Sequence, residues 1–178
     1  MLTLTPVTQK FVLHWGEMGA RWGINRTVAQ VHALIYVSPR AVNAEEIAET
    51  LSVARSNVST SLRELQNWGI IKIVHVLGDR RDHFESMKDV WEMFRIILNE
   101  RKRREIDPTL IMLRECIADL EKTKASEQYT QTQLVELLNF FESMTGWYEQ
   151  INKMPTGAVI KFVKLGDRAF KLLGASSD

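Results

Sequence analysis

Two short helical patterns joined by a very tight connection constrain the fold of this chain more than any other feature. The first starts at Asn43, which with Glu46 three residues later has the spacing of a capping box, and apolar residues follow at i, i+3, i+4 and i+7. The second occupies residues 54–68, and only residues 52–53 separate the two. Two short helices around so tight a turn are typical of a helix-turn-helix.

The hydrophobic period changes from helical to β directly after the second helix. Residues 70–76 are rich in β-branched side chains, Gly78 and Asp79 provide turn chemistry, and residues 83–85 can return as a second strand. The pattern predicts a β-hairpin, or wing, over residues 74–84. A helix-turn-helix followed by such a hairpin is a winged helix.

Two helices are expected before this motif. Residues 9–22 place their apolar side chains on one side of a helix. Thr27 can cap a second helix, which ends at Ser38-Pro39 because a residue before proline is pushed out of the α region.

The chain after Met87 is helical in its pattern. Asp107-Pro108 is typical of an N-cap followed by proline in the first turn, and residues 134–151 form a long helix with a near-heptad apolar seam. Residues 122–130 are expected to connect these helices, and the apolar tail over residues 158–173 allows one more helix.

These elements predict a mainly α protein of the α+β class. We expect a winged helix-turn-helix domain over residues 27–86. Residues 1–26 and 87–178 would form a helical region for dimerisation and effector binding, because a near-heptad seam is typical of a helix that packs along another helix. The seam could equally be part of an intrachain core.

Charge is distributed unevenly although the net charge is only +1. Residues 55–104 carry eleven Lys and Arg against seven Asp and Glu, whereas residues 105–178 carry eight against eleven. A basic excess over one segment is a weak indication of nucleic-acid binding and needs a motif to support it.

The second helix of the motif has a composition that suits a DNA groove. Its inward side carries Val58, Leu62 and Leu65, and its opposite side combines arginine with short hydroxyl and amide side chains. Such side chains are mediocre helix formers, but they can approach base edges closely. The predicted DNA-binding residues are Arg55, Ser56, Asn57, Ser59, Thr60 and Arg63 on the helix, with Arg80, Arg81 and His83 on the wing. The alternative is a polar winged helix that contacts protein, with a wing tip that only improves solubility.

The segments IAETLSVARSNVSTSLRELQNWGII and GDRRDHFE resemble the winged helix of MarR-type regulators, and more closely their GbsR-like branch, named for repressors of glycine betaine synthesis. The resemblance implies a homodimeric regulator of transcription that binds double-stranded DNA, with the recognition helix at residues 54–68 and the terminal helices in the dimer. It also implies repression of genes for osmolyte synthesis or uptake. Ser52 departs from the pattern, because many helix-turn-helix sequences have glycine there.

Dimerisation is also expected on physical grounds. A single module makes few contacts, whereas two modules related by a two-fold axis contact two half-sites and gain specificity. The seam over residues 134–151 and the stripe that contains Trp15 and Trp22 are the candidate surfaces.

Five tryptophans lie outside or at the end of the recognition helix, and aromatic faces can enclose a quaternary ammonium group. The family resemblance implies osmolyte-linked effectors such as choline or glycine betaine. The candidate effector residues are Trp15, Trp22, Trp91, Trp147 and Tyr148. The alternative is that these side chains fill the core and the dimer interface, and that regulation involves no small molecule.

Other classes of function lack support in the sequence. No nucleotide-binding glycine motif, nucleophile elbow or HExxH is present, and the four histidines have no ligand spacing, so we expect neither an enzyme nor a metal or cofactor site. Cys116 lies on an apolar helix face, where a thiol is normally inert. No apolar run approaches the roughly 20 residues that span a bilayer, and a signal-peptide pattern is absent, so a cytoplasmic protein is expected.

Overall fold

A computed structural model describes residues 2–123, 127–161 and 165. It is mainly helical with one small sheet, which confirms the predicted fold class. The elements are α1 Pro6–Arg21, α2 Arg26–Val37, β1 Val42–Asn43, α3 Ala44–Leu51, α4 Arg55–Asn67, β2 Ile71–Val74, β3 His83–Ser86, α5 Val90–Arg101, a π-helical segment Lys102–Ile106, α6 Asp107–Thr123 and α7 Gln128–Lys153.

Two compact units make up the chain, residues 1–97 and residues 98–178. The first unit is wider than the predicted winged helix of residues 27–86, because Val12 of α1 and Met93 of α5 belong to the same hydrophobic core. Residues 156–161 are helical, and most of the predicted tail helix lies outside the described residues, as does part of the predicted connector over residues 122–130.

The helix-turn-helix forms as the sequence predicts. The backbone N–H of Glu46 donates to Asn43 Oδ1 at 3.0 Å, and the backbone N–H of Asn43 donates to Glu46 Oε2 at 3.1 Å, which completes the capping box. Ser52 adopts the left-handed conformation with φ 54° and ends α3. That conformation explains why glycine is common at this position in such turns.

Three antiparallel strands build the sheet in the order β1-β3-β2. Phe84 of β3 pairs with Ile73 on one side and with Val42 on the other. The sequence did not predict β1, because two residues are too few to show a period. This strand joins the start of the helix-turn-helix directly to the wing.

The core of the first unit lies between α1, α2, α4 and the sheet. The inward face predicted for α4 is confirmed, since Val58, Leu62 and Leu65 are buried in this core. Burial of these side chains supplies most of the force that holds α4 in place, because a 13-residue helix rich in Ser, Thr and Asn is marginal by itself.

Helices α6 and α7 dominate the second unit. Arg114 of α6 donates to Glu142 of α7 at 2.7 Å, and Leu110 and Leu113 are buried. The predicted N-cap at Asp107 is wrong, because Asp107 has helical dihedrals and follows the π-helical segment without a break. Pro108 is tolerated there because the π-helical turn changes the hydrogen-bonding pattern just before it.

Candidate nucleic-acid interface

The outer face of α4 is open to solvent. All six predicted contact residues of this helix are exposed, whereas the residues at the intervening core positions are buried. These exposed residues are Arg55, Ser56, Asn57, Ser59, Thr60 and Arg63. The helix therefore presents a continuous row of hydrogen-bonding groups that no other described element covers.

The first turn of α4 lacks a side-chain cap, although the backbone N–H of Asn57 already donates to the carbonyl oxygen of Ala54. Ala54 occupies the N-cap position and makes no side-chain cap hydrogen bond. The N–H groups at a helix N-terminus attract anions, and the adjacent Arg55 adds a positive charge. This end of α4 can therefore accept a phosphate of a nucleic-acid backbone.

A shallow groove of about 300 Å³ lies between α3, α4 and the wing. Arg81 of the wing lines this groove together with Arg55 and Arg63 of α4, the recognition helix. Its lining residues are Ala44, Glu45, Arg55, Ser59, Leu62, Arg63, Gln66, Arg81, Asp82 and Phe84. Three of the four predicted arginines thus share one concave surface, and Arg80 lies outside it.

The wing tip is held by one carboxylate. Asp79 follows Gly78, whose φ of 83° allows the turn, and Asp79 Oδ1 accepts from the backbone N–H of Arg81 at 3.0 Å. Its Oδ2 accepts from the Arg81 guanidinium at 2.5 Å. The side-chain hydrogen bond from Arg81 is the main reason that the pKa of Asp79 is well below its usual range, and the same bond raises the pKa of Arg81.

His83 does not face solvent, contrary to its predicted role as a direct DNA contact. Its side chain is buried, at 5% exposure, and alternates along β3 with the core residue Phe84, so it lies on the other face of the strand next to Asp79 and Arg81. Its Nδ1 lies 3.0 Å from the carbonyl oxygen of Arg81, and its Nε2 lies 3.5 Å from Asp79 Oδ2. His83 therefore supports the wing from within.

The four arginines differ in their ion pairs. Arg55 is paired with Glu45 of α3, and Arg81 is paired with Asp79. Among the described residues, Arg63 and Arg80 make no ion pair. Glu45 and Asp79 are arginine partners that the sequence did not reveal, because neither stands at a position that a motif marks as a partner of arginine.

Two of the candidate effector residues meet in one cavity. Trp15 and Trp22 line an apolar space of about 230 Å³ within the first unit, next to Leu65 and Trp68 at the end of the recognition helix. The other lining residues are His14, Met18, Gly19, Ile24, Val28, Ala29, His32, Ile70 and Ile97. No Asp, Glu, Lys or Arg side chain is among the lining residues described.

The remaining candidate effector residues lie elsewhere. Trp91 is absent from the lining of this cavity, and Trp147 is exposed on α7. Tyr148 lines a separate apolar cavity of about 330 Å³ within the second unit and donates to Asn99 Oδ1 at 2.8 Å.

His32 is the one titratable side chain that lies deep beside the tryptophan cavity in the described part of the chain. Its Nε2 lies 3.3 Å from Ser86 Oγ at the end of the wing. Burial is the main cause that lowers the pKa of His32 to about 4, and the nearby Lys88 adds to it. The imidazole is therefore neutral at physiological pH.

Within the described ranges, no group of three or more His, Cys, Asp and Glu side chains could hold a metal ion. None of the described helices has the length and apolarity needed to cross a membrane. Cys116 is partly buried, with its Sγ 3.6 Å from Met112 Sδ.

Comparison with known proteins matches residues 22–82 to the MarR family. The chain is 24% identical to the HTH-type transcriptional repressor GbsR of Bacillus subtilis (strain 168), over 80% of this chain and 82% of that protein. It is 18% identical to the HTH-type transcriptional repressor OpcR of the same organism, over 75% and 74% of the two chains. A crystal structure of a transcriptional regulator, 21% identical, has the same fold with a TM-score of 0.61 over 83% of this chain and 96% of that one. Since the matched family and relatives are regulators, the expectation that the chain is not an enzyme is confirmed.

Proposed function

We propose that this chain, a DNA-binding transcriptional regulator of the MarR type in its GbsR-like branch, is a homodimeric repressor of genes for osmolyte synthesis or uptake. The groove that joins the outer face of α4 to the wing carries the proposal, because it gathers Arg55, Arg63 and Arg81 on one surface. In this proposal α4 enters the major groove. The wing meets the minor groove or the flanking phosphates, and the protein acts on chromosomal DNA in the cytoplasm.

Short side chains on α4 support a close approach to bases. Ser56, Ser59 and Thr60 are exposed beside the arginines and can donate to or accept from base edges or phosphates. Arg63 has no acidic partner among the described residues, so its guanidinium is available for bidentate pairing with guanine. The exposed Arg80 is better placed for phosphate, because it stands at the wing tip outside the groove.

Helix α7 supports dimerisation. It is 26 residues long, yet none of its described residues is buried. Leu137, Phe140, Met144 and Trp147 are 43–57% exposed and follow one another at steps of three, four and three residues. This is the spacing of an a/d seam in a helix pair, so a second copy of the chain is the proposed partner of this face.

The tryptophan cavity supports an osmolyte effector. Trp15 and Trp22 offer two indole faces in an apolar space that ends at Leu65 and Trp68 of the recognition helix. A quaternary ammonium group is attracted to such faces and needs no carboxylate. A ligand in the cavity would contact Leu65 and Trp68 at the end of α4 and so shift the outer face of this helix, which is proposed to contact DNA.

DNA binding is tested by selecting bound duplexes from a randomised library and measuring affinity by fluorescence anisotropy. Arg63→Ala should cost about 1–3 kcal/mol on the selected sequence and relax preference at one position. Arg80→Ala should weaken selected and random duplexes alike and lower the salt slope by about 1. The matched control is Arg26→Ala, because Arg26 is an exposed arginine at the start of α2 outside the groove. This variant should change neither the affinity for selected and random duplexes nor the salt slope.

The alternative is a winged helix that contacts protein instead of DNA. It would be favoured if the wild-type protein showed no binding to any duplex even at low salt. Equal losses on selected and random DNA for Arg63→Ala would reassign that side chain to the DNA backbone.

Dimerisation is tested by sedimentation. The wild type should be a dimer at micromolar concentration, and Phe140→Asp should dissociate it because it places a charge in the seam. Asn139→Asp adds the same charge at the neighbouring exposed position and should leave the dimer intact. A wild-type monomer would remove this part of the proposal.

Effector binding is tested by tryptophan fluorescence during titration with choline, glycine betaine and ectoine. We expect a saturable change that Trp15→Leu abolishes and that Trp147→Leu leaves in place, because Trp15 lines the cavity and Trp147 does not. A flat response to all three compounds would contradict an osmolyte effector.

A further inference from the structure

An acidic side chain lies inside the surface that is proposed to face DNA. Glu45 is the second residue of α3, its side chain is 31% exposed, and its carboxylate is paired with the Arg55 guanidinium. It lines the same groove as Arg63 and Arg81. An anion in this place is unexpected for a surface that must accept a polyanion.

Glu45 acts on more than one cation of the groove. Asp79 is the main cause of the raised pKa of Arg81, and the charges of Glu45 and Glu46 add to it. Glu46 already serves the capping box and is also paired with Arg40. Glu45, in contrast, is paired with a residue of the recognition helix.

The ion pair restricts where Arg55 can point. Arg55 is the first residue of α4, and its side chain is 64% exposed, so without a partner it could reach the flanking phosphates as easily as the groove. Glu45 holds the guanidinium on the groove side. An exposed ion pair contributes little to folding stability, so positioning is the larger consequence of this contact.

Positioning and repulsion have the same effect on selectivity. Bidentate pairing with guanine needs a guanidinium plane that is already oriented, whereas phosphate binding does not. A fixed carboxylate also repels phosphate oxygens, and like-charge repulsion suppresses wrong partners. In addition, a carboxylate in a major groove can accept from the N4 amino group of cytosine.

On the basis of the DNA-binding function proposed above, we propose that Glu45 is a positioning residue for sequence specificity. It holds Arg55 toward the bases and lowers affinity for the DNA backbone. On the specific sequence the Arg55 guanidinium and the Glu45 carboxylate both form hydrogen bonds with bases. On random DNA the carboxylate faces phosphate without such a partner. Glu45 thus lowers non-specific binding more than specific binding.

The test compares wild type, Glu45→Gln, Arg55→Ala and the double variant by selection from a randomised duplex library, followed by anisotropy on selected and random duplexes. Glu45→Gln should bind random duplex about threefold to tenfold more tightly, with a salt slope steeper by up to about 1. It should lose base preference at the position that Arg55→Ala also loses. In the double variant Glu45→Gln should cause no further loss of base preference, because the group that it positions is gone, whereas the part of the tighter random-duplex binding that comes from lost repulsion should remain.

Two further variants separate positioning from a general charge effect. Glu49→Gln removes the same charge from the same helix outside the groove and should leave the selected sequence unchanged. Glu45→Asp keeps the charge and should restore discrimination against random duplex. Thermal unfolding of each variant verifies that the fold is intact.

The proposal is overturned if Glu45→Gln selects the wild-type sequence with an unchanged ratio of specific to random affinity. It is also overturned if Glu45→Gln lowers base preference as much in the Arg55→Ala variant as in the wild type. These outcomes differ from a wild-type protein that selects no sequence, which would overturn the DNA-binding function itself.

Discussion

Acidification should destabilise the fold through His32. Its pKa is about 4 in the folded chain and about 6.5 when it is exposed to water. Between these values the unfolded chain binds a proton at this site and the folded chain does not, so the free energy of unfolding falls as pH falls. One pKa unit corresponds to about 1.4 kcal/mol, so the loss should be about 2 kcal/mol at pH 5 and about 3 kcal/mol near pH 4.

The structure explains the size of this effect. His32 lies on α2 at 5% exposure, and a charge there would lose its hydration and lie near the Lys88 ammonium. Its Nε2 contacts Ser86 Oγ, which donates in turn to the carbonyl of Met87 at 3.1 Å. Neither hydroxyl nor carbonyl supplies the negative charge that an imidazolium would need.

The measurement is urea unfolding of wild type and His32→Gln at pH 7 and pH 5. Glutamine can keep a hydrogen bond to Ser86 but cannot titrate, so the variant should lose about 2 kcal/mol less than wild type on going to pH 5. Every other group titrates in both proteins, and the difference isolates His32. An NMR titration of the imidazole supplies an independent value. Equal losses in the two proteins, or an imidazole that titrates near 6.5, would show that His32 does not cause the loss of stability in acid.

Three further outcomes are expected. Gly19→Ala would place its Cβ 2.5 Å from the Ala29 Cβ and should destabilise the protein by about 1–3 kcal/mol in urea unfolding, whereas Gly16→Ala meets a flexible glutamine side chain and should cost much less. Ser52→Gly should stabilise the protein by up to about 1 kcal/mol in the same assay, because Ser52 has φ 54°. Asp79→Ala should leave the melting temperature nearly unchanged but steepen the salt dependence of DNA binding, because the wing arginine loses its partner. A large fall in melting temperature would show that the wing carries part of the core's stability.

Local interactions made much of the winged helix predictable. The capping box of α3 involves residues three positions apart, and the inward face of α4 follows from the helical period. The hairpin followed from a change of period and from turn residues at Gly78 and Asp79. In each case the physical cause lies within a few residues of chain, where sequence patterns are informative.

Contacts between distant segments were not predictable. β1 exists because Val42 pairs with Phe84, and the predicted cap at Asp107 failed because the preceding π-helical segment continues the helix. Neither of these outcomes has a signature within one segment.

The candidate site shows the same division. The sequence alone determined which side chains of α4 face outward, since periodicity sets that face once Val58, Leu62 and Leu65 are buried. The contact of Arg55 with Glu45, and the lack of such a partner for Arg63 among the described residues, follow only from how the helices pack against each other. The reason is physical: a helical period orders residues on one element, but the electrostatic environment of an arginine depends on which charges another element brings within a few ångströms of it.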